Sequence, residues 1–357
     1  MSEKIDLYKN QIEKTGYILE YQVSEILSKH KWNVINNRYY VDDITENVRE
    51  IDIVAYKVKL VKDIYYYTAL LISCKKSEEN DWVFLSKNAD KLDPNLDYLP
   101  ISNWTNERYI EYMLKNSDWK NRINNNLQHE EFLNNIYKTE KKVFAFQEMK
   151  KTNGAPQNDK KIFESISTLI KALAFELKSL SERKQSKCFY NFNLISVAQT
   201  DLVNMNFYQS NLDGYEVNNI NYINRFIVSG KDEFFKVNIV KYDNFENILC
   251  GYDELFNWNK KFYSDLRDEF FSDIVSDYNK IQFQYSICKK QLLNIINAGI
   301  SKIDNDNSFK GIQDIDFGYF DQELILYLDI PDTLISKLNI NKFIESHVGR
   351  ILKNYFN

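Results

Sequence analysis

Residues 49–74 constrain this chain more than any other stretch. Arg49 to Leu60 and Ile64 to Cys74 are two long runs rich in Ile, Val, Tyr and Leu. Runs of that composition read as β-strands. The only polar break between them is Lys62-Asp63, so the spacing predicts an antiparallel hairpin with a two-residue turn. Ahead of it, Ile12, Leu19, Val23, Ile26 and Leu27 recur at helical spacing, and Val34 to Val41 reads as a short strand. A helix followed by a strand meander is the frame on which everything else must hang.

Further along, Val143–Met149 and Cys188–Val197 read as strands. Between them, a helix over Lys160–Arg183 carries Ile162, Ile166, Leu169, Ile170, Leu173 and Leu177 on one face. Gly154-Ala155-Pro156 marks the turn before it, and Asp159 stands where an N-cap is expected. Residues 78–135 read as short helical pieces. Beyond Asp201 the pattern predicts strands at Ile223–Val228 and Phe234–Val240. Helices follow at Phe245–Phe256, Trp258–Tyr278, Cys288–Ile303 and Ile340–Tyr355, with a hairpin or edge strand over 317–330. The expectation is an α/β chain with a mixed α+β sheet, divided into a domain of residues 1–200 and an α/β or mostly helical module of residues 201–357.

A chain of 357 residues that is 44% hydrophobic and 27% charged has ample material for a soluble core. Nine glycines and four prolines are too few for long flexible linkers. The net charge of −5 argues against a protein that coats nucleic acid without selectivity, while leaving room for a local basic cleft. Lysines gather at Lys75 and Lys76, at Lys138, Lys141 and Lys142, at Lys150 and Lys151, and at Lys160 and Lys161; such clusters are more often solvated faces than binding sites. Cys74, Cys188, Cys250 and Cys288 form no CxxC pair, and no leading apolar segment resembles a signal peptide, so a reducing cytoplasm is expected. No apolar run is long enough to span a membrane. His30, His129 and His347 are isolated and offer no zinc ligand set. Phosphate-loop, dinucleotide and serine-hydrolase motifs are absent.

Chemistry enters through three residues. Side chains alternate along a strand, so Glu50, Asp52 and Val54 share one face, as do Ser73 and Lys75. With a turn at Lys62-Asp63, Asp52 falls opposite Ser73, which brings Asp52 and Lys75 onto one surface. Glu20 lies at the edge of the apolar stripe of the first helix, where its carboxylate is partly desolvated unless a cation meets it. One divalent ion satisfies Glu20 and Asp52 together, and oxygen donors favour Mg2+ or Mn2+. Taken singly, Asp52 reads as an edge acid, Lys75 as a strand-end surface residue and Glu20 as half of a helix ion pair. Their joint occurrence in helix, strand, strand order favours a site.

The stretch from Gly16 to Ser77 resembles the PD-(D/E)XK nuclease superfamily, with its restriction-endonuclease-like fold, and is most similar to the Mrr-like and defence-system branches. The resemblance implies a core with helices on both faces of the sheet. Asp52 takes the place of the first motif acid, Lys75 that of the motif lysine, and Glu20 that of the helical acid. It further implies that the backbone carbonyl of Cys74 joins Glu20 and Asp52 in binding metal. The second strand acid is replaced by Ser73, and Glu20 is the natural substitute, with Glu50 or Glu78 as lesser contributors. The implied activity is metal-dependent hydrolysis of DNA phosphodiesters in defence against phage or foreign DNA, with Glu20, Asp52, Ser73 and Lys75 in the catalytic set. Two alternatives stand beside it: a catalytically weakened module that binds nucleic acid or protein, and an RNA nuclease. A homodimer or a defence-system partner protein is compatible with either. A second acid-x-lysine, Glu148 to Lys150, has no local acid-bearing partner strand and reads as structural.

Overall fold

The computed structural model describes residues 2–42, 45–90, 93, 96–209, 211–228, 230–304, 310–320 and 323–356. The chain divides into two compact units, Met1–Ser264 and Asp265–Asn357. The first begins with α1 (Ser2–Ile12) and α2 (Tyr17–Lys29), followed by β1 (Asn33–Val41), β2 (Val48–Val61) and β3 (Ile64–Lys76). These three strands form an antiparallel meander. The β2–β3 register runs from Val61↔Ile64 to Ile53↔Ile72, as the two-residue turn requires. Lys62 sits in the left-handed region at φ 56, a conformation that glycine adopts with less steric strain.

Next come β4 (Asn80–Asn88), β5 (Ser102–Thr105), α3 (Arg108–Asn116), α4 (Trp119–Asn126), α5 (Glu131–Tyr137), β6 (Lys141–Lys150), α6 (Lys160–Arg183) and β7 (Cys188–Gln199). The unit closes with β8 (Leu202–Tyr208), β9 (Asn211–Val217), β10 (Asn219–Val228), β11 (Lys231–Lys241) and the greater part of α7 (Phe245–Ser272). One sheet has the order β1-β2-β3-β7-β11-β10, with β5 also paired to β7. In it β7 is parallel to both β3 and β11, while the remaining pairs are antiparallel. A second sheet has the order β6-β4-β8-β9. The architecture is mixed α/β, with parallel and antiparallel pairs in each sheet.

Helices cover both faces of the first sheet. Ser165 of α6 hydrogen-bonds Ser196 of β7 at 2.7 Å, and Ser196 stands opposite Ser73; α6 therefore lies over the face that carries Ser73. Asn259 of α7 donates to Thr68 and Asn191 at 3.0 and 3.2 Å. Thr68 and Asn191 are themselves register partners, on the opposite face. The central strand β7 is buried from Cys188 to Ala198, as a strand covered on both sides must be.

Three expectations are corrected. The division falls at Ser264/Asp265, not near residue 200, because β11 hydrogen-bonds β7 in register from Val237↔Leu194 to Lys241↔Ala198. Residues 80–88, expected within helical pieces, form β4, with Trp82, Phe84 and Ser86 buried in alternation. The two helices expected at Phe245–Phe256 and Trp258–Tyr278 are the single α7; Asn257 donates to the Asp253 carbonyl one turn back and the helix continues.

The second unit holds α8 (Tyr278–Ile303), a hairpin of β12 (Asp316–Phe320) and β13 (Glu323–Tyr327), α9 (Asp332–Asn339) and α10 (Lys342–Phe356). Gly299 of α8 allows Ile344 of α10 to approach where a Cβ would collide. Among the described residues, no helix is long and apolar enough to cross a membrane.

Candidate active site

Asp52 owes its position to the β2–β3 register. The pairing that places Ile53 opposite Ile72 puts Asp52 beside Ser73. Its Oδ2 accepts the backbone N–H of Cys74 at 2.6 Å and the Ser73 hydroxyl at 3.2 Å, and lies 3.7 Å from Lys75 Nζ. Ser73 is fully buried, whereas the side chains of Asp52 and Lys75 keep 17% and 26% of their exposure. Two donors fix the carboxylate without neutralising it. The lysine does so in part, at a distance longer than a direct charged hydrogen bond. Among the described residues, Asp52 Oδ1 accepts no hydrogen bond, so one oxygen is left for a ligand.

Glu20 reaches the same site from α2. That helix buries Leu19, Val23 and Leu27, and Glu20 adjoins the stripe through Leu19. Its carboxyl pKa is pushed up to about 7, first by burial and then by the negative charge of Asp52; Lys75 opposes the rise and Glu50 adds to it. Four side chains from one helix and two strands thus share a single electrostatic neighbourhood. Glu50 follows from the same alternation that marks Asp52. Glu78 is engaged by Lys76 at 2.8 Å, which holds its carboxyl below the ordinary range.

Glu20 and Asp52 supply carboxylate oxygens of the kind a divalent cation would need. A carboxylate whose proton affinity is raised by burial and by a second carboxylate is stabilised when a cation replaces the proton. Glu20 and Asp52 are the residues that would hold it. Among the described residues, no group of three or more His, Cys, Asp or Glu side chains is arranged to bind a metal. Cys74 turns its thiol inward, where burial, and then the charges of Asp52 and Glu20, push it well above the ordinary thiol range. That thiol is unsuited to act as a thiolate ligand. Only its backbone can serve, and its N–H already positions Asp52. This tightest contact escapes a reading of side-chain types, because a backbone donor leaves no mark in the sequence.

Glu148 does not join this group. It is buried and accepts from Asn80 at 3.0 Å and from the Lys161 N–H in the first turn of α6 at 3.3 Å. Asp159 occupies the N-cap position but makes no capping bond; the carboxylate that caps α6 comes from β6 instead. At the end of β3, Lys76 donates to the Glu13 carbonyl and Lys161 to the Lys76 carbonyl.

The chain shows no match to a known protein family, to a curated protein or to a solved structure.

Proposed function

We propose that this protein is a metal-dependent nuclease that hydrolyses phosphodiester bonds of DNA. The observation that carries the proposal is the convergence of Asp52, Lys75 and the proton-avid Glu20 on one partly exposed patch at the end of a hairpin. The mixed sheet with helices on both faces supports the restriction-endonuclease-like core that the Gly16–Ser77 resemblance implies.

Glu20 and Asp52 would hold Mg2+ or Mn2+, with the Cys74 carbonyl as the backbone ligand that the resemblance implies. When bound, such an ion neutralises charge developing on a phosphate and acidifies a coordinated water. The chain's own residues do the rest. The Cys74 N–H and Ser73 hydroxyl hold Asp52 in one orientation. Lys75 supplies positive charge and a donor that can orient the attacking water or receive the scissile phosphate. Glu20, whose carboxyl is pushed up to about 7 when no cation is bound, must give up its proton to take its place as a ligand, so loading of the site would strengthen as pH rises through that value.

The test is cleavage of supercoiled plasmid DNA by the purified chain with Mg2+ or Mn2+, beside an RNA substrate. DNA cleavage lost in both Asp52→Asn and Lys75→Ala supports the proposal. Undiminished cutting by both variants would sink the site. A second reading rests on Ser73 standing where an acid is expected: a weakened nuclease-like module that binds nucleic acid or protein. It is favoured if calorimetry detects no binding of Mn2+ and neither substrate is cut. A role in defence rests on the resemblance alone; phage plating on cells carrying the parent or the Asp52→Asn chain tests it.

A further inference from the structure

A second cluster of charge stands beside the carboxylate site, at the same end of β3. Consecutive side chains of a strand point to opposite sides, so Lys75 turns toward Asp52 and Lys76 away from it. Lys76 Nζ meets a Glu78 oxygen at 2.8 Å and donates to the Glu13 carbonyl, between α1 and α2, at 2.6 Å. Lys161, in the first turn of α6, donates to the Lys76 carbonyl at 3.2 Å. That acceptor is uncharged, so the bond leaves the ammonium charge uncompensated.

Glu78 is the carboxylate on which this charge acts. Lys76 chiefly, with Lys14 and Lys161 in addition, holds its carboxyl below the ordinary range. The three lysines come from the α1–α2 connection, the end of β3 and the start of α6, and the fold gathers them about one acid. Lys14, Lys161 and Glu78 are exposed, and the Glu78 side chain keeps 54% of its exposure. An ion pair so open to water is weak, and a phosphodiester, with its full charge and acceptor oxygens, can replace the carboxylate. Lys75 and Lys76 then offer two anion positions, one on each side of the strand end. One free phosphate cannot fill both, whereas successive phosphates of a strand can.

We propose that Lys14, Lys76 and Lys161 seat a backbone phosphate of DNA next to the scissile one, and that Glu78 holds this seat in the free protein. The identity of the ligand rests on the nuclease reading. Glu78 limits affinity, because the incoming strand must first displace it from Lys76. Removing that carboxylate strengthens binding, and removing either outer lysine weakens it.

Fluorescence anisotropy of a labelled DNA duplex, titrated with the full chain in EDTA over a range of salt, tests this without metal or turnover. Glu78→Gln should tighten binding at low salt about fivefold. Lys14→Ala and Lys161→Ala should each weaken it about fivefold and lower the salt slope by about 1. Lys76 is left intact because it also holds the Glu13 carbonyl. Asp63→Asn and Lys187→Ala, which break an equally exposed ion pair at the far end of β3, control for net charge and should leave affinity nearly unchanged. No saturable binding by the parent, affinity unchanged in all three test variants, or equal changes in the control pair would each overturn the proposal. So would tighter binding of an RNA duplex of the same sequence, or displacement of the DNA by inorganic phosphate at constant ionic strength. Lysine-dependent binding without plasmid cleavage keeps the seat and removes the nuclease. Cleavage with affinity unchanged in these variants keeps the nuclease and removes the seat.

Discussion

Asp52 and Lys75, 23 positions apart on neighbouring antiparallel strands, bring Oδ2 and Nζ to 3.7 Å. At that separation the pair attracts without forming a direct hydrogen bond, so water or a phosphate oxygen can take the lysine's protons. Asp52→Asn retains the acceptor for the Cys74 N–H and removes the charge. It should leave the fold intact, by circular dichroism, and lower metal-dependent cleavage by about 10²–10³-fold in a plasmid-nicking assay.

The raised pKa of Glu20 sets a pH dependence. The folded state binds its proton more tightly than the unfolded chain, whose value is 4.5, and holds it up to about pH 7. Between those values the folded state carries the extra proton, so this group's contribution to stability falls as pH rises. Glu20→Gln should therefore raise Tm relative to the parent at pH 8 and have little effect at pH 4.5. Differential scanning calorimetry at both pH values checks the sign.

Magnesium should act in the opposite sense. A cation at Glu20 and Asp52 must displace the Glu20 proton, so its effect on Tm should be large at pH 8 and small at pH 5.5. Thermal unfolding with Mg2+ or with EDTA measures it. The shift should vanish in Asp52→Asn.

Ser73 offers a gain-of-charge test. It is fully buried and donates to Asp52 at 3.2 Å. Ser73→Ala loses one charge-assisted bond and should destabilise by about 1–2 kcal/mol in urea titration. Ser73→Asp puts a carboxylate beside Asp52 and should unfold more readily in EDTA, with Mn2+ restoring most of the lost stability.

Asp253 of α7 ties that helix to α2 and the meander. Its two oxygens accept from Trp32 Nε1 at 2.8 Å and Lys57 Nζ at 2.6 Å and meet His30 Nδ1 at 2.8 Å. Asp253→Ala strands a half-buried lysine and an indole N–H, and should cost about 2–3 kcal/mol of stability in urea titration.

The local sequence determined the elements whose own residues specify them. The hairpin register followed from alternation and a two-residue turn, and α6 from its apolar stripe between Lys160 and Arg183. Those two signals already put Asp52, Ser73 and Lys75 on adjacent strands. Tertiary structure decided what depends on distant partners. Strand β4 draws its burial from β6 and β8, and its short polar-flanked run carries little signal alone. The proton affinity of Glu20 arises from burial and from a carboxylate 32 positions away, and the cap of α6 comes from Glu148, not Asp159. Periodicity is written along a chain, whereas desolvation and charge coupling exist only once separate segments are packed together.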